Sequence, residues 1–361
     1  MRPAPPASVR VRMAGLPYRS AAGTRAFTLV EVLAVIAIVA LLMGVLIPGI
    51  GMVRAASREA VCAAQQRRLM LATLSFAQRN RENLPGINTT GLQYMETLTS
   101  QAALLGNTSP STPASVFDWI SPILGEEEGL SVNRAERTRD IFNRLGCPST
   151  QGAAAALWGE TGIPDAEDFR KVRDADTFRQ ISYLSPGPFH LAGHAYLSQS
   201  KYRVYSWRGP AVPPERYLPR LDRVGAQHSD KVFISDATRY VVSAALLDFY
   251  VNPRPRYYGS FTSSTPVYIA SREFGRATQN PEFAAENHGT NERTVYPANA
   301  RLSYRHRGGM MTARFDGSAA YMTEAETKRD ATPWFPGGSV FTGVNATPES
   351  LATHRENEVL R

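Results

Sequence analysis

The longest apolar segment of the chain lies near its N-terminus. Residues 27–53 read FTLVEVLAVIAIVALLMGVLIPGIGMV, and Glu31 is the only charged residue among them. A membrane-spanning helix needs about 20 predominantly apolar residues. The pattern therefore predicts one transmembrane helix over residues 27–53, and the rest of the chain is interpreted as the part that this helix carries.

Residues 54–82 are predicted to continue that helix with an amphipathic pattern. Residues 54–80 contain no Pro or Gly and are rich in Ala, Leu, Gln and Arg, which favour helices. The sequence NLPG at residues 83–86 is predicted to end the helix. The residues expected on its apolar face are Val61, Cys62, Leu69, Ala72 and Phe76, and those expected elsewhere are Arg58, Gln65, Gln66 and Arg79.

The pattern of the remaining part, residues 83–361, changes from helical to strand-like after residue 181. Residues 84–115 are predicted to form a loop, residues 118–124 and 135–146 to be helical, and residues 151–178 to be helix or loop. Short β-branched or aromatic runs follow, with Pro, Gly and Asn between them. The predicted strands are residues 181–184, 201–207, 231–235, 240–250, 267–271, 301–305, 310–315 and 319–323. We therefore expect an α+β fold in which an antiparallel sheet with long loops packs on the amphipathic half of the first helix.

The charge distribution argues against nucleic-acid binding. The net charge is +8, but residues 1–26 contain five Arg and no acidic residue, which leaves +3 for the remaining chain. That remainder has no Lys/Arg run able to follow a phosphate backbone. The same five Arg place the N-terminal side of the apolar segment in the cytoplasm by the positive-inside rule, so the large C-terminal part is expected outside it. The apolar segment is too long for a cleaved secretory signal.

Glu31 is unusual because a carboxylate inside a membrane helix costs a few kcal/mol and usually has a partner. One interpretation is that it lies at the interface and reaches the headgroups. The other is that it meets a positive group on a second copy of the chain. A free amine at Phe27, four residues away, would be such a group.

The residues Ala26-Phe27-Thr28-Leu29-Val30-Glu31 resemble the cleavage and methylation site of type IV pilins and type II secretion pseudopilins. The resemblance implies that residues 1–26 are a leader, that a prepilin peptidase cuts between Ala26 and Phe27, and that it methylates Phe27. It also implies that Glu31 is needed for assembly. Ala26 stands where the family commonly has Gly, and translation could start at Met1 or Met13. Pro48 matches a proline that kinks the helix in many pilins.

The partners implied by this resemblance are the prepilin peptidase, which is also the methylase, other pilin-like subunits and the inner membrane. The implied product is a filament subunit of a type IV pilus or of a type II secretion system. Its C-terminal domain would lie in the periplasm or at the cell surface. The alternative is a membrane-anchored module that never polymerises and binds sugars or peptides through loop aromatics, since aromatic faces serve such recognition. The candidate aromatics are Tyr196, Tyr202, Tyr205, Trp207, Tyr217, Tyr257, Tyr258, Tyr268 and Trp334.

A second resemblance involves the C-terminal region. His306 is followed by nine residues and then Asp316-Gly317, which resembles the H-X9-DG motif of a pilin-like family abundant in Planctomycetes. Four shorter fragments and one early cysteine also fit that family. They are Cys62, Cys147-Pro148-Ser149, Ser182-Tyr183, Ser235-Asp236 and residues 334–338.

The sequence predicts neither an enzyme nor a cofactor site. A catalytic His–Asp pair needs a nucleophile, and no G-x-S-x-G elbow occurs. Asp316-Gly317 is therefore predicted to form a hairpin turn, with His306 bonded to that turn or to Asp316.

The two cysteines, Cys62 and Cys147, allow two interpretations. They could form a disulfide that closes a loop of about 85 residues and contributes roughly 4 kcal/mol, or they could be buried free thiols. No CxxC motif and no Cys/His cluster at metal-binding spacing is present, so no metal site is expected.

Overall fold

The computed structural model of the chain describes most of the domain and one long helix. The described residues are 28–86, 109–115, 117–150, 153–157, 164–175, 178–179, 181–191, 209–238, 246–248, 261–269, 271, 273–274 and 303–361. The predicted strand at residues 201–207, Ala26 and Phe27 lie outside them, as do six of the candidate aromatics.

The chain divides into two compact units, residues 1–53 and residues 54–361. Helix α1, Leu29–Arg79, contributes to both units and is helical without interruption through Pro48. Local melting around Pro48 is thus not observed, and the kink expected there stays a prediction. Within the described chain, α1 is the one helix long and apolar enough to cross a membrane.

In the first unit, the described side chains of α1 are exposed nearly all the way round the helix. From Leu29 to Val53 the large apolar side chains are all solvent-accessible, including Ile36, Leu41 and Ile47. A helix that is apolar all round belongs in a protein core or in a bilayer. This half of α1 is therefore compatible with a single-pass membrane anchor.

The second half of α1 is amphipathic and buries one face in the domain. The buried positions are Cys62, Gln66, Leu69, Met70, Thr73 and Ala77, which follow the three- and four-residue spacing of one helix face. The predicted apolar face was confirmed at Cys62 and Leu69, which are buried, and at Ala72 and Phe76, which are half-buried and pack against the core. It was wrong at Val61, which is exposed, and at Gln66, which is completely buried. The amide nitrogen of Gln66 tolerates burial because Asp236 Oδ1 and Met311 O accept its hydrogen bonds.

The main sheet has five strands in the order β7-β3-β5-β8-β9. Their bounds are β3, Tyr183–Pro186; β5, Val232–Asp236; β7, Thr262–Ser263; β8, Gly309–Arg314; and β9, Ala319–Thr323. The sheet is mixed, because β3 and β7 run parallel. The prediction of a fully antiparallel sheet was therefore wrong. A parallel pair needs a long connection, and residues 187–261 supply one.

Two smaller sheets, five further α-helices and four short 3-10 helices complete the described part. In the first small sheet, β1, Ala153–Leu157, pairs antiparallel with β2, Phe178–Arg179, and parallel with β6, Leu246–Asp248. The second small sheet pairs β4, Ala211–Val212, antiparallel with β10, Val340–Phe341. The helices are α2, Ser121–Leu124; α3, Arg134–Arg144; α4, Ala166–Ala175; α5, Glu324–Arg329; and α6, Pro348–Leu351. The architecture is thus α+β, a long helix with mixed sheets and short helices.

Some strand predictions were wrong. Residues 267–269 form a turn with an isolated bridge at Tyr268, Ser271 lies in no regular element, and the strand of this region is β7. Residues 303–305 are not a strand and only lead into a bridge at His306. Of residues 240–250, the structure describes β6 alone. The core itself forms around Phe233, whose ring lies 5.6 Å from Trp119 and 5.0 Å from Phe315.

Candidate functional site: a buried cysteine, histidine and aspartate cluster

The N-terminus of α1 is closed by Thr28 and Glu31. One carboxylate oxygen of Glu31 accepts hydrogen bonds from the backbone nitrogen of Thr28 at 2.8 Å and from its hydroxyl at 2.9 Å. In return, the Thr28 hydroxyl accepts one from the backbone nitrogen of Glu31 at 3.3 Å. This is a capping box, which satisfies two backbone donors of the first turn. Cleavage before Phe27 and its methylation stay predictions.

A second constellation lies inside the domain, where four residues from distant parts of the chain meet. Cys62, Cys147, Asp236 and His306 are all buried, and their potential ligand atoms lie within 4.8 Å of one another. Cys62 and Asp236 are 174 residues apart, and Cys147 and His306 are 159 apart. Several fragments that the sequence showed separately thus converge on one place.

Local structure determines how Cys62 and Asp236 reach this place. Cys62 lies on the buried face of α1, one turn before Gln66. Asp236 is the last residue of β5, opposite Tyr183 of β3. Since α1 and the end of β5 meet here, Cys62 Sγ donates to Asp236 Oδ1 at 3.1 Å.

His306 is positioned by a tight hairpin. His306 and Gly309 exchange backbone hydrogen bonds of 3.1 and 2.9 Å, and Arg307 and Gly308 between them have φ angles of +52° and +78°. Positive φ at both central residues is the signature of a type I′ turn. Arg307 also pairs with Glu59 of α1 at 2.7 Å, which fixes the hairpin against the helix.

Asp236 is the centre of the polar contacts. Its Oδ1 also accepts from Gln66 Nε2 at 3.0 Å and from the guanidinium of Arg305 at 3.0 Å. Its Oδ2 accepts from Met311 N at 2.8 Å and lies 3.3 Å from His306 Nε2. Burial raises the pKa of Asp236, while the charge of Arg305 acts in the opposite direction. So many donors around one carboxyl group suit its ionised form.

The two sulfur atoms have different surroundings. Cys147 Sγ lies 3.3 Å from His306 Nε2 and accepts from Ser149 N at 3.4 Å. Hydrogen bonding from Cys62, then from His306, lowers the pKa of Cys147, and burial raises that of Cys62. Cys147 is therefore the more acidic thiol. Burial opposes protonation of His306, but its hydrogen bond with Cys147 and the charge of Asp236 outweigh it and raise the His306 pKa.

Both cysteines are buried free thiols in the structure, the second of the two interpretations allowed by the sequence. Their Sγ atoms are close enough that a small movement would bring them together. The disulfide therefore stays a prediction that the fold makes feasible. Chemically, the cluster can hold a soft metal ion, form a disulfide or stabilise a thiolate.

Asp316 and His306 lie at opposite ends of β8 and do not pair. The six residues of β8 separate them by about 17 Å at the usual strand rise. Asp316 and Gly317 occupy the turn from β8 to β9, where Asp316 Oδ1 accepts from Ser318 N at 2.9 Å. The expected bond from His306 to Asp316 or its turn was wrong, since the carboxylate beside His306 is Asp236.

The described candidate aromatics belong to the core. Tyr217, Tyr268 and Trp334 are all buried, and Trp334 donates its indole N–H to Thr327 O at 3.1 Å. They therefore offer no exposed ring face to a ligand. Comparison with known proteins adds no relative, since no protein-family model, curated protein or solved structure matches this chain.

Sequence reasoning missed the cluster because its members share no short spacing. Metal and redox motifs are recognised when ligands lie within a few residues of each other. Here the separation is that of whole elements, and Gln66 and Arg305 carry no motif at all. The available signal was that the separate fragments of the family resemblance include Cys62, Cys147, Asp236 and His306.

Proposed function

We propose that the chain is a pilin-like subunit that is cut before Phe27, methylated there, and assembled through α1 into a filament of a type IV pilus or type II secretion-like system. The observation that carries the proposal is the FTLVE sequence at the start of an apolar segment whose only acid is Glu31. The exposure of the apolar side chains of α1 supports it, because such a helix needs lipid or neighbouring helices around it.

The capping box gives Glu31 a physical role before and after cleavage. In the uncut chain, Glu31 is satisfied by Thr28 of its own helix. Cleavage before Phe27 would create a positive amine one residue before Thr28. In a filament, the carboxylate of one subunit can pair with that amine of the next, and such a pair is strong where water is scarce.

Mass spectrometry of the protein from cells with an active prepilin peptidase tests the processing step. We expect the chain to begin at Phe27 and to carry one additional methyl group. Intact residues 1–26 in such cells would overturn the proposal. A variant with Gly at position 26 is expected to be cut at least as fast, because the family commonly has Gly there.

Replacement of Glu31 tests the assembly step. Glu31→Ala is expected to leave membrane insertion intact and to abolish co-isolation of filament subunits. The matched control is Glu167→Ala, which removes another acid from the first turn of a helix but at the surface of the domain. Unchanged assembly in Glu31→Ala would instead support a membrane-anchored module that does not polymerise.

A further inference from the structure

We propose that Cys62, Cys147, Asp236 and His306 form a closed, structural site for one Zn²⁺ ion. The inference does not depend on the filament proposal, since it concerns side chains buried within residues 54–361. Two thiolates, one imidazole and one carboxylate are the ligand types that zinc takes in proteins.

The distances between the donor atoms fit a tetrahedral ion. Bonds of 2.0–2.3 Å to a central zinc place the ligand atoms about 3.3–3.8 Å from one another. The nitrogen of His306 lies 3.3 Å from Cys147 Sγ and 3.3 Å from Asp236 Oδ2. Cys62 Sγ lies 3.1 Å from the other oxygen of Asp236. The four groups therefore need only small shifts to surround an ion.

The charge of the site balances when zinc is bound. Without metal, the ion pair of Asp236 and Arg305 carries no net charge, and each cysteine contributes a thiol that is free to bind metal. Zinc carries two positive charges and displaces one proton from each thiol. Two thiolates, one carboxylate, one guanidinium and Zn²⁺ again sum to zero. A buried site with no net charge avoids the large penalty of an isolated buried ion.

The surrounding groups already hold the proposed ligands in place. Ser149 N points at Cys147 Sγ at 3.4 Å. The Tyr183 hydroxyl, which donates to Gln65 Oε1 at 2.7 Å, also lies 3.4 Å from Cys62 Sγ. Gln66 and Arg305 hold Oδ1 of Asp236, so that Oδ2 faces His306. In known metal sites, hydrogen-bonding partners of this kind orient the residues that bind the metal and tune the properties of the ion.

The donor set selects the ion and its role. Thiolates favour zinc over Ca²⁺ and Mg²⁺, which prefer oxygen ligands only. Four protein ligands leave no open position for a substrate, and all four are buried, as in structural sites. Zinc would therefore join α1, the segment after α3, β5 and the hairpin that precedes β8.

The test uses the full chain, purified in detergent with a reductant and without chelator. We expect elemental analysis to find one zinc per chain after dialysis. After chelation and titration with Co²⁺, we expect an absorption band from thiolate-to-cobalt charge transfer and visible bands of tetrahedral intensity. Reduced wild-type protein that binds neither ion would overturn the proposal, whatever the behaviour of its variants.

Variants locate the ion. Cys147→Ser and His306→Ala are expected to reduce bound zinc by at least tenfold, with folding checked by circular dichroism. His228→Ala is the matched control, because His228 is a half-buried histidine that packs on Phe315 outside the cluster. Equal zinc in all these proteins would place the ion elsewhere.

The redox state of the isolated protein provides the second decisive measurement. Cells are lysed in denaturant that contains a chelator, which removes zinc, and an alkylating agent, which blocks free thiols. We expect both cysteines of each chain to be alkylated. A Cys62–Cys147 disulfide in the protein taken from cells would overturn the zinc site and assign the cluster to a bridge.

Discussion

Among the single residues that the structure describes, Asp236 contacts groups of several kinds. Its carboxylate accepts hydrogen bonds from Cys62, Gln66, Arg305 and the backbone nitrogen of Met311. Arg305 and Asp236 are both buried and form an ion pair at 3.0 Å, so each charge is removed from water beside a charge of opposite sign. Removing one member of a buried pair leaves the other uncompensated, which is strongly destabilising.

Asp236→Asn is therefore expected to lower the free energy of unfolding by about 3–5 kcal/mol. Urea unfolding with chelator present measures it without any contribution from metal. The matched control is Asp222→Asn, which breaks an exposed pair with Arg220 at 2.9 Å and should change stability by less than about 1 kcal/mol. Equal effects of the two variants would show that Arg305 has another counter-charge.

His190 makes the stability of the domain sensitive to acid. Burial lowers the pKa of His190 to about 3, below the value of about 6.5 in an unfolded chain. Between these values the unfolded chain binds the proton and the folded one does not, so stability falls as the pH falls below about 6.5. The loss attributable to His190 should be about 2 kcal/mol at pH 5.

The difference between wild type and His190→Gln isolates this contribution. Its partner, the Ser185 hydroxyl at 2.8 Å, can bond to the glutamine amide instead. The stability gap between the two proteins should narrow or reverse between pH 7.5 and pH 5. Parallel pH profiles would contradict the lowered pKa, because they would mean that His190 binds its proton at the same pH in the folded and the unfolded protein.

At the scale of elements, the hairpin that carries His306 depends on two glycines for different reasons. Gly308 has a φ angle of +78°, and a Cβ there would meet open space. A Cβ on Gly309 would lie 2.5 Å from the carbonyl oxygen of Met322 on β9 and 2.4 Å from the Tyr321 ring. The first position requires a backbone conformation, and the second requires the absence of a side chain.

We therefore expect Gly308→Ala to cost about 1–2 kcal/mol, as left-handed backbone does for other residues. Gly309→Ala should cost about 3 kcal/mol, because β8 and β9 must separate to admit the methyl group. Thermal unfolding of the two variants compares them directly. The reverse order would indicate that backbone strain at Gly308 exceeds the steric conflict.

The sequence predicted elements with strong local patterns and missed those decided by packing. Residues 319–323 match β9 in full, since alternation and the Asp316-Gly317 turn define that hairpin. Strand β1 is the run AAAAL, which has no β-propensity signal, and its pairing with β6 arises only from tertiary context. The sequence pattern puts Gln66 on the polar face because its buried partners, Asp236 and Met311, lie 170 and 245 residues away.

At the scale of the whole molecule, the two halves of α1 expose apolar side chains with different consequences. Val39 in the first unit and Val61 in the second are 42% and 43% exposed. If the first half spans a bilayer, a charge at Val39 lies in hydrocarbon, whereas one at Val61 lies in water or at a contact surface. Their similar exposure makes them a matched pair.

Val39→Arg is expected to weaken membrane insertion by about 2.5–3.5 kcal/mol, the usual penalty of arginine near a helix centre. Carbonate extraction of membranes should then release a larger share of this variant than of wild type. Val61→Arg should extract like wild type. Equal release of both variants would contradict a spanning segment at residues 29–53.

The wide separation of the cluster residues also has a consequence in time. Ribosomes make about 5–20 residues per second, so Cys147 emerges roughly 10–30 s before His306, which lies 159 residues later. During that interval the two thiols exist without the histidine, and for about the first half of it also without Asp236. An oxidant that reaches the two thiols within that interval can bridge them before the metal site is complete. Slowing synthesis after residue 147 should therefore favour the bridge.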